Sequence, residues 1–380
     1  MKKLGLLILA VLLVPGLLGV PVVFAQAGPS VVTSTAMVNY PMSLDFSLTA
    51  RSSADIVDVR LRYTVEQESY AEVISEVIVP VTPDDTVDVT WSLDMRRIGG
   101  LPPGTMVDYR WVIRDAAGAR LETTPARIEF ADNRYEWQKQ TEGLVTVYWY
   151  SGSTGFATEV MSAAQESLAR LTRDTGAKLN DPLRLYIYAS TQDLLGALIF
   201  PYEWTGAVTY PQYGIIMIGL EPANLEWGKS TVAHELSHVA VHQVTSNPYT
   251  SLPTWLDEGL AMYNEGLLDV YLGNALMNAI NNDSLISVRS LASPFSALSD
   301  LAALSYAESF SIVSYLISTY GQEKMQELLT VFSHGSTYDN ALSTVYGFNV
   351  DGLNTLWREY VIKQYRPDRP VVGLIGAAVY

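Results

Sequence analysis

Short runs in which apolar and polar residues alternate fill the first third of the chain, from about residue 30 to residue 132. Alternation with a period of two turns one side of a strand towards a core, and repeated short strands separated by turns are typical of a β-sandwich. We therefore predict an all-β module in this region. The apolar positions of its clearest runs are Leu44, Phe46 and Leu48, then Val57, Val59 and Leu61, then Val107, Tyr109, Trp111 and Ile113.

The pattern changes after Asp132 to longer apolar runs and to helical periodicity. Strands that come first and helices that come later predict a domain of the α+β class. The predicted elements are strands over residues 144–150, 183–188 and 215–218, a helix over residues 157–173, and mainly helices over residues 226–364.

These patterns divide the chain into two folded parts. The module over residues 30–132 resembles an immunoglobulin-like or fibronectin type III-like sandwich, and we expect it to fold separately. The α+β domain follows over residues 143–366, with the boundary near residues 133–142. The remaining tail, residues 367–380, is apolar at its end but too short to span a bilayer.

The first 27 residues have the pattern of a secretory signal peptide. Lys2 and Lys3 supply the positive start, an apolar run follows, and Ala25 and Ala27 provide small residues at a cleavage site. Removal of residues 1–27 would give a secreted or extracytoplasmic protein. The apolar run is also about long enough to span a bilayer, so an uncleaved anchor, with membrane or cell-surface association, is the alternative.

Charge and composition exclude some partners and one kind of stabilisation. The chain has 40 acidic and 24 basic residues and a formal net charge of −16, which repels phosphate backbones and argues against nucleic acid as a partner. It contains no cysteine, so no disulfide can form. Its four histidines all lie from His234 onward, which makes their spacing informative.

An H-E-x-x-H pattern is formed by His234, Glu235 and His238. Apolar residues at helical spacing around it predict a helix, on which the two histidines lie one turn apart on the same face. Two imidazoles at this separation can bind one tetrahedral Zn²⁺, and Glu235 projects beside them as the candidate general base. The alternative is a pair of structural histidines on a surface helix.

A second pattern supplies a carboxylate, because Glu258 follows His238 after 20 positions. The turn-rich segment between them lets a second helix fold back and present Glu258 to the same metal. Two histidines, one carboxylate and a fourth position open to water are the ligand set of a catalytic zinc site. We therefore predict one zinc ion per chain, held by His234, His238 and Glu258.

Two other ligand sets are excluded by distance and by residue type. His242 lies eight residues after His234, about 12 Å along a helix axis, which is too far for both to bind one ion. His242 is therefore either a residue that supports the site or part of the helix surface. Val241 and Val244 stand where a metzincin has its glycine and its third histidine.

Together these motifs resemble a gluzincin of the thermolysin clan, in particular the peptidase MA-like domains. The likeness rests on H-E-L-S-H at residues 234–238 and W-L-D-E-G-L-A at residues 255–261, continues through residues 305–310, and covers about residues 144–365. It implies a zincin-like fold and a zinc metallopeptidase that hydrolyses a peptide or protein substrate. Because Asp257 replaces the asparagine common in related aminopeptidases, and no amino-terminus-binding acidic motif is evident upstream, we expect an endopeptidase.

The resemblance also implies roles for residues outside these motifs. Similar enzymes recruit a tyrosine or histidine from the downstream region to stabilise the oxyanion, so Tyr306 is the first candidate and His334 the second. The alternative is that Tyr306 is only a packing residue. A strand over residues 206–210 is a candidate to pair with the substrate backbone.

Two other functions stay open. One is an extracellular binding or adhesion protein with a non-catalytic zinc domain, although the intact Glu235 argues against it, because a structural site does not need a base. The other is a non-peptidase zinc hydrolase, since water activated by zinc also attacks other carbonyl groups.

Overall fold

The computed structural model describes residues 27–202, 205–266 and 268–365. The predicted signal peptide, apart from Ala27, and the predicted C-terminal tail lie outside the described residues. Within them, a β-rich N-terminal module precedes a second sheet and a mainly helical C-terminal part. The prediction of strands first and helices later is therefore confirmed.

Seven strands of the N-terminal module form one hydrogen-bonded sheet. They are β1 (Ser30–Asn39), β2 (Ser43–Val65), β3 (Ser75–Val79), β4 (Asp84–Asp94), β5 (Thr105–Asp115), β6 (Arg120–Glu122) and β7 (Ala126–Phe130). The 23-residue β2 pairs mainly through its first half with β1 and β4, and through its second half with β3 and β5. The module is β-rich as predicted, and its immunoglobulin-like or fibronectin type III-like arrangement stays a prediction.

One predicted apolar face is shifted in β2. The sequence pattern places Val57 on the same side as Val59 and Leu61, but Val57 is 44% exposed, whereas Ile56 is buried. A β-bulge between Ile56 and Asp58 inserts one residue opposite β5. Such an insertion reverses the side that the following residues face, so Val59 and Leu61 return to the core.

A second sheet of five strands follows the module. Its strands are β8 (Gln138–Glu142), β9 (Val145–Trp149), β10 (Leu183–Tyr188), β11 (Ala207–Tyr210) and β12 (Ile215–Gly219), in the order β11-β12-β10-β9-β8. The three central strands are parallel, and the edge strands β8 and β11 are antiparallel to their neighbours. Because β8 occupies part of the predicted boundary, residues 133–142, this segment is a strand of the sheet and not a free linker.

Helices make up most of the remaining described residues, as the periodicity predicts. They are α1 (Thr154–Thr175), α2 (Thr191–Leu195), α3 (Leu225–Thr245), α4 (Thr254–Glu265), α5 (Val270–Asn281), α6 (Ser299–Tyr320), α7 (Gln322–Ser333), α8 (Tyr338–Tyr346) and α9 (Val350–Gln364). Among the described helices, α6 alone is long and apolar enough to cross a membrane, but 67% of its apolar window is buried inside the protein, so its composition is that of a core helix.

The second sheet packs on both of its faces. One face, with Ile187 and Ile216, packs against α1 and α3. The opposite face, with Tyr186, Tyr188 and Met217, belongs to the same hydrophobic core as the N-terminal module. The core of the module is thus completed by side chains of the second sheet, which argues against the expected separate folding of the module and makes that expectation one for a truncated chain to test.

Candidate metal centre

Helix α3 presents the two histidines of the H-E-x-x-H pattern on one face. Val232, Leu236 and Val239 are buried against the second sheet, which fixes the rotation of the helix. His234 and His238 project from another face, with ring centroids 5.0 Å apart. The local periodicity that predicts the helix therefore also determines where both imidazoles lie.

Helix α4 brings Glu258 to the histidines, and two features hold it in place. A Cβ atom on Gly259 would lie 2.5 Å from the carbonyl oxygen of Ser309 on α6, so only glycine allows this close approach. The buried amide of Asn264 donates to Ser237 Oγ and to the carbonyl oxygen of Ala233, both on α3, at 2.8 and 3.0 Å. The neighbours of Glu258 in sequence thus anchor α4 against α6 and α3.

The three predicted ligands converge with spacing that suits a tetrahedral ion. Glu258 Oε2 lies 3.4 Å from His234 Nε2 and 3.6 Å from His238 Nε2. Ligand atoms about 2.0–2.1 Å from a tetrahedral zinc ion are about 3.3–3.4 Å apart. Glu258 Oε2 is also shielded from solvent and accepts no hydrogen bond from the described residues. The donor set and its spacing therefore fit zinc.

Two further carboxylates contact the outer nitrogens of the histidines. Glu265 Oε2 lies 3.3 Å from His234 Nδ1, and Asp257 Oδ2 lies 3.1 Å from His238 Nδ1. Such contacts fix the ring orientation and leave Nε2 of each imidazole for a metal. Glu265 is seven residues, or two helical turns, after Glu258, so the helical period could have revealed it.

The electrostatics of the cluster favour positive charge. Burial alone would lower the pKa of His234, but the carboxylates of Glu258, Glu265 and Glu235 raise it to about 10. Burial likewise opposes the charged form of His238, yet Asp257 and Glu258 raise its pKa to about 9. A site that stabilises imidazolium so strongly also attracts a divalent cation.

The candidate general base, Glu235, accepts a hydrogen bond from a residue of the second sheet. Thr209 Oγ1, on the edge strand β11, donates to Glu235 Oε2 at 2.5 Å. No sequence spacing connects these two residues, which are 26 positions apart, so the sequence predicts the strand but not this contact.

Tyr306 lies beside the metal centre, whereas His334 does not. The Tyr306 ring centroid is 6.4 Å from that of His234, and its edge-on contact with Phe295 has a centroid distance of 5.2 Å. Burial, reinforced by the charges of Glu258 and Glu235, raises the pKa of Tyr306 above its usual range. His334 Nδ1 lies 2.8 Å from the carbonyl oxygen of Thr330, and no described contact links this ring to the metal centre.

His242 contacts the N-terminal module. Its Nε2 lies 3.1 Å from Glu68 Oε2, in the segment between β2 and β3. From the same segment Tyr70 hydrogen-bonds through its hydroxyl to Ser246, just after α3. His242 therefore belongs to an interface between the module and α3, an environment that the sequence pattern did not indicate.

Comparisons with known proteins find distant structural resemblances. No curated protein sequence matches the chain. Aminopeptidase A of Legionella pneumophila is 14% identical with a TM-score of 0.40, and the match covers 87% of this chain and 50% of that one. For the M1 zinc metallopeptidase of Deinococcus radiodurans the identity is 13%, the TM-score 0.37, and the coverage 92% and 97%. An aminopeptidase N family protein of Idiomarina loihiensis is 10% identical with a TM-score of 0.39, and the match covers 82% of this chain and 73% of that one.

A family model gives a direct assignment of the chain. The model of the peptidase MA superfamily matches residues 163–363, which is just over half of the sequence and includes α3, α4 and α6. The resemblance inferred from the motifs is thereby confirmed. The chain belongs to the peptidase MA superfamily.

Proposed function

We propose that this protein is a secreted or surface-exposed zinc endopeptidase of the gluzincin type, in which His234, His238 and Glu258 hold one zinc ion. The observation that carries the proposal is the spacing of the three ligand atoms, 3.4 and 3.6 Å from Glu258 Oε2 to the two Nε2 atoms. A structural zinc site is closed by four protein ligands, whereas this set leaves a position for water.

The residues around the proposed zinc divide the chemistry between them. Zinc at this place would acidify a water molecule and polarise the carbonyl of the scissile bond. Glu235 accepts the proton of the attacking water and passes it to the leaving amine. A tyrosine is protonated at neutral pH, and burial raises the pKa of Tyr306 further, so its hydroxyl can donate to the developing oxyanion.

The free edge of strand β11, beside the candidate general base, supports cleavage inside a peptide chain. Strand β11 pairs only with β12 among the described strands, and it lies against α3 through the contact of Thr209 with Glu235. A free strand edge binds an extended peptide through its backbone, and this mode of binding needs neither terminus of the substrate.

The location and the N-terminal module complete the proposal. The signal-peptide pattern of residues 1–27 supports export, and an uncleaved segment would instead keep the enzyme on a membrane surface. The module, which we propose to be an immunoglobulin-like or fibronectin type III-like sandwich, touches α3 through Glu68 and Tyr70. Its proposed role is to position the enzyme or its substrate.

A comparison of two glutamate variants of α3 tests the catalytic assignment. Glu235→Gln should keep about one zinc per chain but lower hydrolysis by about a hundredfold or more, because the amide cannot accept a proton. Glu226→Gln, an exposed position on the same helix, is the matched control and should retain activity. Zinc is measured by mass spectrometry, with His238→Ala as the variant expected to lose it.

The substrates are mapped with a library of amino-terminally acetylated peptides, with and without a zinc chelator. Chelator-sensitive cleavage of blocked peptides supports an endopeptidase. Cleavage of unblocked peptides alone would assign an aminopeptidase. A zinc-loaded wild-type protein that cleaves no peptide would instead favour the alternative function, an extracellular binding or adhesion protein with a non-catalytic zinc domain.

A further inference from the structure

The hydrogen bond between Thr209 and Glu235 joins the edge of the sheet to the metal-binding helix. Thr209 Oγ1 donates to Glu235 Oε2 over 2.5 Å, a distance within the usual range for a hydrogen bond between two oxygen atoms. The bond engages Oε2 of Glu235. A carboxylate held through one oxygen loses rotational freedom, so the base stays in the orientation in which it accepts the proton of the attacking water.

The backbone of Thr209 faces the open edge of the sheet. Gly219 N donates to the carbonyl oxygen of Gly206, and the following residues of β11 continue this antiparallel register with β12. In an antiparallel pair, the backbone groups of alternate residues point towards and away from the partner strand. Val208 and Tyr210 therefore bond to β12, whereas the N–H and C=O groups of Ala207 and Thr209 point away from it.

The backbone and the side chain of Thr209 can thus serve two different partners. Its backbone groups are available to an extended peptide added to β11, and its side chain holds Glu235. We propose that Thr209 is a positioning residue that ties the register of the bound peptide to the orientation of the general base, and this inference rests on the proposed role of Glu235. The substrate residue paired with Thr209 would then determine which peptide bond meets the base.

Substitution of the hydroxyl separates this role from simple packing. Thr209→Val keeps the branched shape but cannot donate, and we expect kcat to fall by about ten- to a hundredfold, the usual effect of losing a hydrogen bond to a charged group. KM should change by less than about twofold, because the backbone groups remain. Thr209→Ser retains the hydroxyl and should recover most of kcat. Zinc content should be unchanged in both variants.

The matched control is Thr141→Val, on β8 at the opposite edge of the same sheet, where the side chain hydrogen-bonds to Thr146 within the described part of the chain. Its kcat should equal that of the wild type. A crystal structure of metal-free Thr209→Val provides a readout without activity, and the Glu235 carboxylate should there be turned or poorly ordered.

The outcomes distinguish this inference from the proposed function. If Glu235→Gln is inactive but Thr209→Val has wild-type kcat and an unmoved Glu235, the positioning role is wrong and the function stands. A loss of kcat in Thr209→Val that Ser does not restore would assign Thr209 to packing and overturn the inference. If Glu235→Gln is fully active, both proposals fail.

Discussion

The buried carboxyl group of Glu308 on α6 should make the free energy of unfolding depend on pH. The residue is fully buried, and Oε1 accepts a hydrogen bond of 2.9 Å from the backbone N–H of Ile286. Oε2 is shielded from solvent and accepts none from the described residues. Burial therefore raises the pKa of Glu308 to about 8, although the Ile286 N–H and the charge of Arg358 oppose the shift.

A raised pKa makes the free energy of unfolding depend on pH. The folded protein holds the proton of Glu308 up to about pH 8, whereas the unfolded chain releases it near the usual pKa of 4.5. Stability from this group is complete below about pH 4.5 and is lost as the pH rises towards 8. At pH 7 the loss is about 3 kcal/mol, since each pKa unit corresponds to about 1.4 kcal/mol.

Glu308→Gln resembles the protonated side chain but cannot ionise. We expect the variant to be more stable than the wild type by about 3 kcal/mol at pH 7, and the two to differ little near pH 4.5. Urea unfolding of both proteins at several pH values measures this difference, and the metal site that they share cancels in the comparison. Glu323→Gln, on the exposed surface of α7, is the control and should show no such trend. If wild type and Glu308→Gln keep a constant difference from pH 4.5 to 8, Glu308 is ionised in the folded protein and the reasoning is wrong.

Two further predictions follow from the site and the fold. Tyr306→Phe should lower kcat by about a hundredfold with little change in KM, because an oxyanion donor acts mainly in the transition state, and an unchanged kcat would make Tyr306 a packing residue. A chain that begins at Asn133 should aggregate, because Tyr186, Tyr188 and Met217 lose the core that they share with the N-terminal module. A soluble, zinc-loaded truncated chain would show that the α+β domain folds without the core that it shares with the module.

The convergence of the three candidate metal ligands was predictable because its geometry is local. The separation of His234 and His238 follows from the helical rise once a helix is predicted, and Glu258 lies on the next helix of the chain. The contacts of Asp257 and Glu265 with the histidines also follow from their positions on that helix. In each case the sequence distance is short, so the helical period leaves few alternatives.

The contacts that sequence analysis missed depend on pairings between distant segments. The bulge at Val57 is set by the register of β2 against β5, which alternation along one strand does not reveal. Likewise β8 lies in the segment predicted as the domain boundary, because Gln138–Glu142 is polar throughout and is a strand only through its pairing with β9. Edge strands with little buried surface carry a weak hydrophobic pattern.

The position of the N-terminal module explains why its contacts matter for a site to which it gives no metal ligand. Its core continues into the face of the second sheet opposite to α3. The segment between β2 and β3 reaches α3 itself, where Glu68 meets His242 and donates its backbone N–H to Gln212, two residues after β11. The module therefore contacts both the turn that follows β11 and the last turn of α3. Because the Thr209–Glu235 bond spans those two elements, we interpret the module as part of the framework that keeps them at hydrogen-bonding distance.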